Sequence, residues 1–162
     1  MMESIVNYKN KNNMKIGIAS DHGGFEMKQI IKKRLEKLNY DVLDFGNTWN
    51  NPQDDYPDFV IPLAKAVAKK QVERGIAICG SGVGASIAAN KILGARAALV
   101  HDHFAAHQGV EDDNMNILCM GGRIIGYEKA NELVSAFLNA NFSNAERHRR
   151  RLLKVESLNS IY

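Results

Sequence analysis

The segment Gly75–Cys79 (GIAIC) runs directly into Gly80–Gly84 (GSGVG) and then into Ala85–Ile92 (ASIAANKI). The first segment is short and apolar, which is typical of a buried strand, whereas the last is rich in alanine, which favours a helix. The three glycines between them allow a tight turn, whose backbone N–H groups can face an anion at the start of the helix. This stretch therefore predicts a strand, a glycine-rich turn and a helix, with a ligand site at the turn.

The same alternation of strand and helix repeats along the chain and predicts the fold. The strand candidates are uniformly apolar rather than alternating, which indicates parallel strands covered by helices on both faces. Right-handed crossovers then give a single-domain, three-layer, doubly wound (Rossmann-like) α/β fold, with a five-stranded parallel sheet and a C-terminal helix. The predicted strands are Lys15–Ser20, Asp41–Phe45, Gly75–Cys79, Ala95–Val100 and Asn116–Met120. The predicted helices are Phe25–Leu38, Phe59–Val72, Ala85–Ile92, His103–Val110, Tyr127–Asn139 and Asn144–Leu158.

Ligands of such folds bind beyond the carboxyl ends of the strands, where the connecting loops begin. The candidate functional segments of this chain are therefore the loops that follow its apolar strands. They are Ser20–Gly24, Cys79–Gly84, His101–His107 and Gly121–Arg123. We expect the chemistry of the protein to lie in these four segments.

The overall composition is that of an ordinary globular protein. The 162 residues carry 21 Lys or Arg against 18 Asp or Glu, and 45% of them are hydrophobic. The length suits one domain, which we place at residues 14–162, after a polar, disordered or tag-like tail at residues 1–13. No run approaches the roughly 20 apolar residues that span a bilayer, and two cysteines are too few for a disulfide framework. We therefore expect a cytoplasmic protein that contacts no membrane.

The excess positive charge is concentrated near the C-terminus. Residues 146–154 (ERHRRRLLK) hold five Lys or Arg and one Glu. A nucleic-acid-binding face would be wider, so we expect no nucleic-acid partner; the compact cluster fits a small anion, although a solvated helix face gives the same pattern. Ser143 and Glu146 have the spacing of a capping box, which predicts Ser143 as the N-cap. Arg147 and Arg151 then lie one turn apart and can hold a phosphate together.

The two cysteines lie in different sequence contexts. Cys79 ends a strand candidate and precedes the glycine-rich turn, and a thiol at a helix N-terminus is ionised more easily. This context favours a reactive thiolate, while an inert core cysteine is the alternative interpretation. Cys119 (ILCMG) has apolar neighbours and no such turn, so we expect it to be a core residue.

The glycine-rich turn also fits a second function. Gly80-x-Gly82-x-x-Ala85 satisfies a relaxed dinucleotide-binding pattern, and Asp102 lies near the place of a ribose-binding acid. A nucleotide-binding module is therefore an alternative to an enzyme. Dinucleotide chemistry does not need a thiol at Cys79, which favours the enzyme.

The histidines suggest two kinds of site. His22 follows the first strand, where an imidazole can bind a ligand oxygen or act as an acid. His103 and His107 are four residues apart on one helix face, where they could ligate a metal with Asp112 or Asp113. The chain has neither a closely spaced cysteine pair nor an HExxH motif, so we expect no metal.

Several short motifs, taken in order, are characteristic of one enzyme family. They are Asp21-His22-Gly23-Gly24, Asp55-Tyr56-Pro57, Cys79-Gly80-Ser81-Gly82-Val83-Gly84, Ala88-Ala89-Asn90-Lys91, Gly94-Ala95-Arg96-Ala97, Gly121-Gly122-Arg123 and Arg147-His148-x-x-Arg151. Each motif is modest alone, but their order and spacing are highly specific. On these motifs, which span about Met14 to Lys154, the chain resembles the type B ribose-5-phosphate isomerases and the related galactose-6-phosphate isomerases.

The resemblance implies an aldose–ketose isomerase that moves a proton between C1 and C2 of a phosphorylated sugar through an enediolate, without a metal or cofactor. It implies that Cys79 is the base and that Ser81 supports it or binds the substrate. It also implies active sites shared between subunits, and hence a homodimer or homotetramer. The implied substrate-binding groups are Asp21 and His22 for the sugar and phosphate, the backbone of Gly80, Gly82, Val83 and Gly84 for the enediolate oxygen, and Arg123, Arg147 and Arg151 for the phosphate.

One position departs from the pattern of the family. Many type B enzymes carry His-Asn shortly before the fifth strand, where the His opens the sugar ring, but this chain has Asp112-Asp113 there. His107 on the preceding helix is our candidate for ring opening, with His22 as the alternative. Ribose 5-phosphate is the expected substrate. The motifs also fit galactose 6-phosphate, allose 6-phosphate and erythrulose 4-phosphate, the last of which closes no stable ring.

Overall fold

The structure is a computed structural model that describes residues 14–160. Its strands are β1 (Lys15–Ser20), β2 (Asp41–Asp44), β3 (Arg74–Cys79), β4 (Ala97–Leu99) and β5 (Ile117–Gly121). They form one sheet in the order β2-β1-β3-β5-β4, and all neighbouring strands are parallel. The predicted α/β fold is confirmed, while the tail predicted at residues 1–13 lies outside the described residues.

Six α-helices of the described chain correspond to the six predicted ones. They are α1 (Phe25–Lys37), α2 (Pro57–Ala68), α3 (Val83–Ala89), α4 (His103–Asp113), α5 (Tyr127–Asn139) and α6 (Glu146–Glu156). Helix α2 is displaced from its predicted bounds because proline suits the first turn of a helix and Lys70 ends the segment with a left-handed φ of 57°. None of the helices in residues 14–160 is both long and apolar enough to cross a bilayer.

The crossovers place helices on both faces of the sheet. Helices α1, α4 and α5 cover one face and α2 and α3 the other, so β3 sends Ile76 and Ile78 into the first core and Ala77 and Cys79 into the second. The central strands β1, β3 and β5 are almost entirely buried, but the edge strands β2 and β4 are partly exposed. Burial on both faces, predicted for all five strands, therefore holds only for the central three.

The strand order determines where the loops meet. From β1 the chain moves outward to β2, whereas from β3 it moves in the opposite direction, to β4 and β5. A crevice therefore opens between the carboxyl ends of β1 and β3, the usual place for a ligand in such a sheet. Because β5 lies beside β3, the loop that follows β5 reaches the same edge.

Candidate active site

Three loops meet at the carboxyl edge of β1, β3 and β5. The Gly122 N–H donates a 2.8 Å hydrogen bond to the Cys79 carbonyl, and the Arg123 N–H donates one of 3.0 Å to the Gly80 carbonyl. From the other side, Gly23 approaches so closely that a Cβ atom on it would lie 2.8 Å from the Gly80 nitrogen. Three of the four predicted functional segments therefore form one site.

The fourth predicted segment, His101–His107, follows the edge strand β4 and begins α4. Its Asp102 is the N-cap of that helix and accepts a 2.8 Å hydrogen bond from the Ala105 N–H. In the nucleotide-binding alternative, the Asp102 carboxylate would bind a ribose. In this fold it caps helix α4 instead.

Gly82 determines the shape of the turn between β3 and α3. Its φ of 83° lies in the left-handed region, and a Cβ atom there would lie 2.5 Å from Leu99 Cδ1. In this conformation the Gly82 N–H donates a 3.1 Å hydrogen bond to Cys79 Sγ. The Val83 N–H donates to Ser81 Oγ over 3.3 Å. Two backbone amides of the glycine-rich turn thus donate hydrogen bonds within the turn, one to the Cys79 thiol and one to the Ser81 hydroxyl.

The two thiols have different surroundings. Cys79 is 4% exposed, ends β3 beside the turn, and receives the Gly82 N–H on its sulfur. Cys119, on the neighbouring strand β5, is fully buried, and burial raises the pKa of its thiol far above the usual range. Cys119 is therefore a core residue, as its neighbours predict, whereas Cys79 combines burial with a donor amide at the edge of the site.

The outer part of the glycine-rich turn is accessible. Ser81 and Val83 are both exposed. Gly84 is covered by Tyr56, whose Cζ atom would lie 2.6 Å from a Cβ at Gly84. The Asp55-Tyr56-Pro57 motif thus places an aromatic ring against the turn, which only a glycine can accommodate at that point.

His22 is held by an aspartate that no sequence motif marks. Asp54 Oδ1 accepts a 2.9 Å hydrogen bond from the His22 backbone N–H and lies 2.7 Å from His22 Nδ1. Burial acts to raise the pKa of Asp54, but hydrogen bonds from His22 and from the Asn47 side chain outweigh it, so this pKa is below the usual value. The two residues are 32 positions apart. Only the adjacency of β1 and β2, whose loops start side by side, could have indicated from the sequence that Asp54 lies near His22.

Asp21 lies beside the same turn. Its side chain caps the short 3₁₀ helix at His22–Gly24 by accepting a 2.9 Å hydrogen bond from the Gly23 N–H. Asp21 is 7% exposed, and burial raises its pKa above the usual value. Ligand atoms of Asp21, His22 and Asp54 lie within 4.8 Å of one another, a spacing that a metal ion could use. The hydrogen bonds to His22 and Gly23 account for this closeness.

A cleft of about 230 Å³ opens beside His22. Arg123 borders it, and Arg123 Nη1 would lie 3.5 Å from a Cβ on Gly80, so the guanidinium reaches the glycine-rich turn. Glu26 and Tyr127 also line the cleft. The site therefore offers a permanent cation to a bound anion, with an imidazole beside it.

The two histidines of α4 share a face, as their spacing predicts, but each lies near a different carboxylate. Their ring centroids are 6.5 Å apart, with His103 Nδ1 3.7 Å from Glu132 and His107 Nδ1 3.2 Å from Glu111. In the described part of the chain, the one group of three closely spaced metal-ligating side chains lies at His22 instead. The metal-dependent alternative thus lacks a third ligand beside the α4 histidines in that part of the chain.

Helix α6 does not begin with the predicted capping box, and that prediction was wrong. Its N-cap is Ala145, while Ser143 Oγ lies 2.6 Å from His148 Nδ1. His148 is buried, with Asp112 3.3 Å from its Nε2 atom. The Ser143 hydroxyl meets this buried imidazole and accepts a 3.3 Å hydrogen bond from the Ala145 N–H, so it lies before the helix rather than at its N-cap.

The predicted phosphate-binding arginines of α6 are exposed. Arg147 donates through Nε to His148 Nε2 over 3.0 Å, which leaves its two terminal nitrogens for a ligand. Arg151 lies one turn further along the helix, which packs against α4. Within residues 14–160, no hydrogen bond or ion pair joins either arginine to the glycine-rich turn.

Comparison with known proteins assigns the chain to a family. The family described as Ribose/Galactose Isomerase matches residues 16–155. This chain belongs to the ribose/galactose isomerase family. Among the family's members, the putative sugar phosphate isomerase YwlF of Bacillus subtilis (strain 168) is 42% identical to it over 142 residues, covering 88% of this chain and 95% of the relative.

Solved structures of ribose/galactose isomerases share the fold. The ribose-5-phosphate isomerase B of Clostridium thermocellum superposes with a TM-score of 0.88 at 43% identity, covering 92% of this chain and 99% of its own. The enzyme of Mycoplasma genitalium, solved with bound ribulose 5-phosphate, gives 0.86 at 39% identity and covers 91% and 97%. The family inferred from the motifs and the fold inferred from the alternation of strands and helices are therefore confirmed.

Proposed function

We propose that this protein interconverts an aldose phosphate and a ketose phosphate, with ribose 5-phosphate and ribulose 5-phosphate as the pair. The observation that carries the proposal is Cys79 at the end of β3, where the Gly82 N–H meets its sulfur and Arg123 lies beside the same turn. A base next to an anion-binding cation is what proton abstraction from a phosphorylated sugar requires. Membership of the isomerase family supports the reaction class.

The central step is a proton transfer between adjacent carbons. The Cys79 thiolate takes the proton from C2 of the open-chain aldose, and the electron pair of the broken bond forms the enediolate. The thiol then returns a proton to C1, while a hydroxyl proton passes from O2 to O1, so the ketose forms and the base is regenerated. The Gly82 N–H donates to the sulfur, and amides of the glycine-rich turn other than those of Gly82 and Val83 stabilise the enediolate oxygen.

Other residues of the site bind the substrate. Asp21 and His22 contact the sugar from the loop after β1, and Ser81, exposed on the glycine-rich turn, supports the base or donates to a substrate oxygen. Arg123 provides a cation beside the turn that does not depend on pH.

The phosphate is held by Arg123 of one subunit and by Arg147 and Arg151 of another. This arrangement needs a homodimer or homotetramer, because within one chain no hydrogen bond or ion pair of the described residues joins α6 to the turn. Exposed apolar side chains on α3 and α6, such as Ile87 and Leu153, support an intersubunit contact.

Ring opening is assigned to His107, which is paired with Glu111 on α4 and can pass a proton to the ring oxygen. Asp112, at the position of the family's histidine, accepts a 2.7 Å hydrogen bond from Gln108 Nε2 and also faces the buried His148. Its carboxylate is therefore engaged elsewhere. Galactose 6-phosphate and allose 6-phosphate would need the same ring-opening group, whereas erythrulose 4-phosphate would need none.

An isomerisation screen across the four sugar phosphates tests the proposal. Each is incubated with the full chain in D₂O, and NMR follows formation of the isomer and deuterium at the carbon that receives the proton. We expect the highest kcat/KM with ribose 5-phosphate, unchanged by EDTA. A higher value with another sugar phosphate would reassign the substrate, and absence of isomerisation would refute the proposal. Thermal stabilisation by NAD but not by sugar phosphates would favour the nucleotide-binding module.

A further inference from the structure

Asp54 and His22 join the two loops that follow the neighbouring strands β2 and β1. Asp54 Oδ1 lies 2.7 Å from His22 Nδ1 and also accepts the His22 backbone N–H over 2.9 Å. The Asp54 side chain is 5% exposed, whereas that of His22 is 30% exposed and borders the cleft with Arg123. The carboxylate is thus buried behind an imidazole that ligands can reach.

The chemistry of the pair determines where the imidazole carries its proton. An ionised carboxylate only accepts hydrogen bonds, so Nδ1 of His22 must be the donor in the 2.7 Å contact. The lowered pKa of Asp54 keeps the carboxylate ionised at neutral pH. In the neutral imidazole Nε2 is then unprotonated, and no other described residue forms a hydrogen bond with it.

The loop that carries Asp54 is anchored at its other end by a buried lysine. Lys28 is fully buried, and its Nζ donates to both carboxylate oxygens of Asp44, over 2.9 and 3.0 Å, and to the Asn47 carbonyl over 2.9 Å. Such a pair resists opening, because separating it would leave a buried charge uncompensated. The start of the loop is therefore held by Lys28, and its far end is held by the contacts of Asp54 with His22.

We propose that Asp54 is a positioning residue of the active site, which sets the ring orientation and the tautomer of His22 so that Nε2 accepts a hydrogen bond from a hydroxyl oxygen of the substrate. The inference rests on the proposed function, since that oxygen belongs to a sugar phosphate in the cleft. Asp54 itself does not touch the substrate. Its whole effect on catalysis passes through the imidazole, in the way that a carboxylate orients a metal-bound histidine.

Kinetics of matched variants test the positioning role. Asp54→Ala should lower kcat/KM about 10- to 100-fold, the usual cost of losing such a partner. Asp54→Asn should retain most of the activity, because its amide oxygen can accept the same two bonds from His22 and the backbone N–H keeps that oxygen in place. Asp58→Asn, which neutralises an exposed carboxylate nearby, is the control and should leave kcat/KM unchanged.

A double-variant cycle separates positioning from a merely structural role. His22→Asn keeps a donor near the Nδ1 position but lacks Nε2, so it should lose activity by itself. In that background Asp54→Ala should cost little more, because the imidazole through which Asp54 acts is gone. Additive losses, or an Asp54→Ala enzyme as active as the wild type, would overturn the proposal.

The tautomer can be read without any substrate. In ¹⁵N-histidine-labelled protein at mildly alkaline pH, long-range ¹H–¹⁵N spectra distinguish the two neutral tautomers, and the signals absent from His22→Asn assign those of His22. We expect the Nδ1–H tautomer in the wild type and in Asp54→Asn, and a shift towards Nε2–H in Asp54→Ala. An Nε2–H tautomer in the wild type would overturn the proposal even if the isomerase activity is confirmed. The Nδ1–H pattern would support the pairing even if the sugar screen fails.

Discussion

The backbone N–H of Gly82 donates a 3.1 Å hydrogen bond to the sulfur of Cys79. The bond depends on the left-handed backbone of Gly82, which turns its amide back towards the end of β3. This bond holds the Cys79 sulfur beside the glycine-rich turn. In the proposed reaction, the glycine-rich turn therefore has a second task beside ligand binding, which is to position the sulfur of the base.

Removal of the proposed base should slow proton exchange strongly without weakening phosphate binding. Cys79→Ala is expected to lower the rate of deuterium incorporation from D₂O about 10²- to 10⁴-fold, the usual contribution of a positioned base. Inorganic phosphate should still bind with nearly the wild-type Kd in calorimetry, because the arginines are unchanged. An active Cys79→Ala enzyme would show that another group is the base.

The second thiol provides the matched control. Cys119→Ala removes a fully buried thiol on the neighbouring strand, so the exchange rate should stay within a few-fold of the wild type while the melting temperature falls slightly. In the native enzyme, iodoacetamide should modify Cys79 and spare Cys119, whose raised pKa keeps it protonated. Mass spectrometry of peptides would detect the reverse selectivity and thereby contradict the assignment.

Gly82→Ala should destabilise the fold as well as the site. A side chain must adopt the left-handed φ of 83° there, and its Cβ would lie 2.5 Å from Leu99 Cδ1 and 2.8 Å from the Met120 carbonyl carbon. We expect a loss of about 2–5 kcal/mol in the free energy of unfolding, from strain together with overpacking. Urea unfolding measures it. Gly126→Ala, which would meet nothing within 4 Å, should cost far less, and equal losses would argue against the geometric cause.

The central strands could be predicted because their signal is local. Strand β1 (Lys15–Ser20) and helix α5 (Tyr127–Asn139) have the predicted bounds, since an uninterrupted pattern marks each of them. Strand β4 begins at Ala97 rather than the predicted Ala95. The Asn90 side chain donates a 2.8 Å hydrogen bond to the Ala97 carbonyl and accepts one of 2.9 Å from the Ala97 N–H. A contact with a residue outside the strand therefore determines where this edge strand starts.

The candidate site was only partly predictable for the same reason. The glycine-rich turn and His22 were found because each directly follows an apolar strand. Asp54 was not, because only the adjacency of β1 and β2 brings it to His22. Ser143 was assigned to a cap that it does not form. The helix begins two residues later than the capping-box spacing predicts, and the contact of Ser143 with the buried His148 is visible only in the folded chain.

Loss of the Arg147 guanidinium on helix α6 should weaken substrate binding and leave the chemical step almost unchanged. Arg147 keeps its two terminal nitrogens for a phosphate while Nε donates to His148. Arg147→Ala should therefore raise KM for the phosphorylated sugar about 10- to 100-fold, the range for hydrogen bonds to a charged group, with kcat changed little. Arg149→Ala, which removes a neighbouring exposed guanidinium, is the control. Steady-state kinetics with an unchanged KM for Arg147→Ala would remove this residue from the phosphate site.

Asp21→Asn should make the protein more stable and less active. The raised pKa of Asp21, caused first by burial, means that the folded state binds a proton more tightly than the unfolded state, so the ionised carboxylate destabilises the fold at pH 7. The amide removes that cost and can still accept the Gly23 N–H. The gain in melting temperature should be full at pH 7, shrink as the pH falls through the raised folded value, and vanish below the ordinary Asp value of 3.8.

Thermal melts of both proteins between pH 3 and pH 7 check the Asp21 prediction, and kcat/KM for the sugar phosphate gives the functional cost. Asp58→Asn, which neutralises an exposed carboxylate, should show no comparable gain at pH 7. An Asp21→Asn protein that is less stable than the wild type at pH 7 would mean that the carboxylate stabilises the turn. The ionised Asp21 carboxylate would then raise the stability of the fold, whereas its burial predicts that it lowers that stability. A variant that gains stability and keeps full activity would instead remove Asp21 from the substrate-binding residues, because groups that cost stability in a site are retained for function.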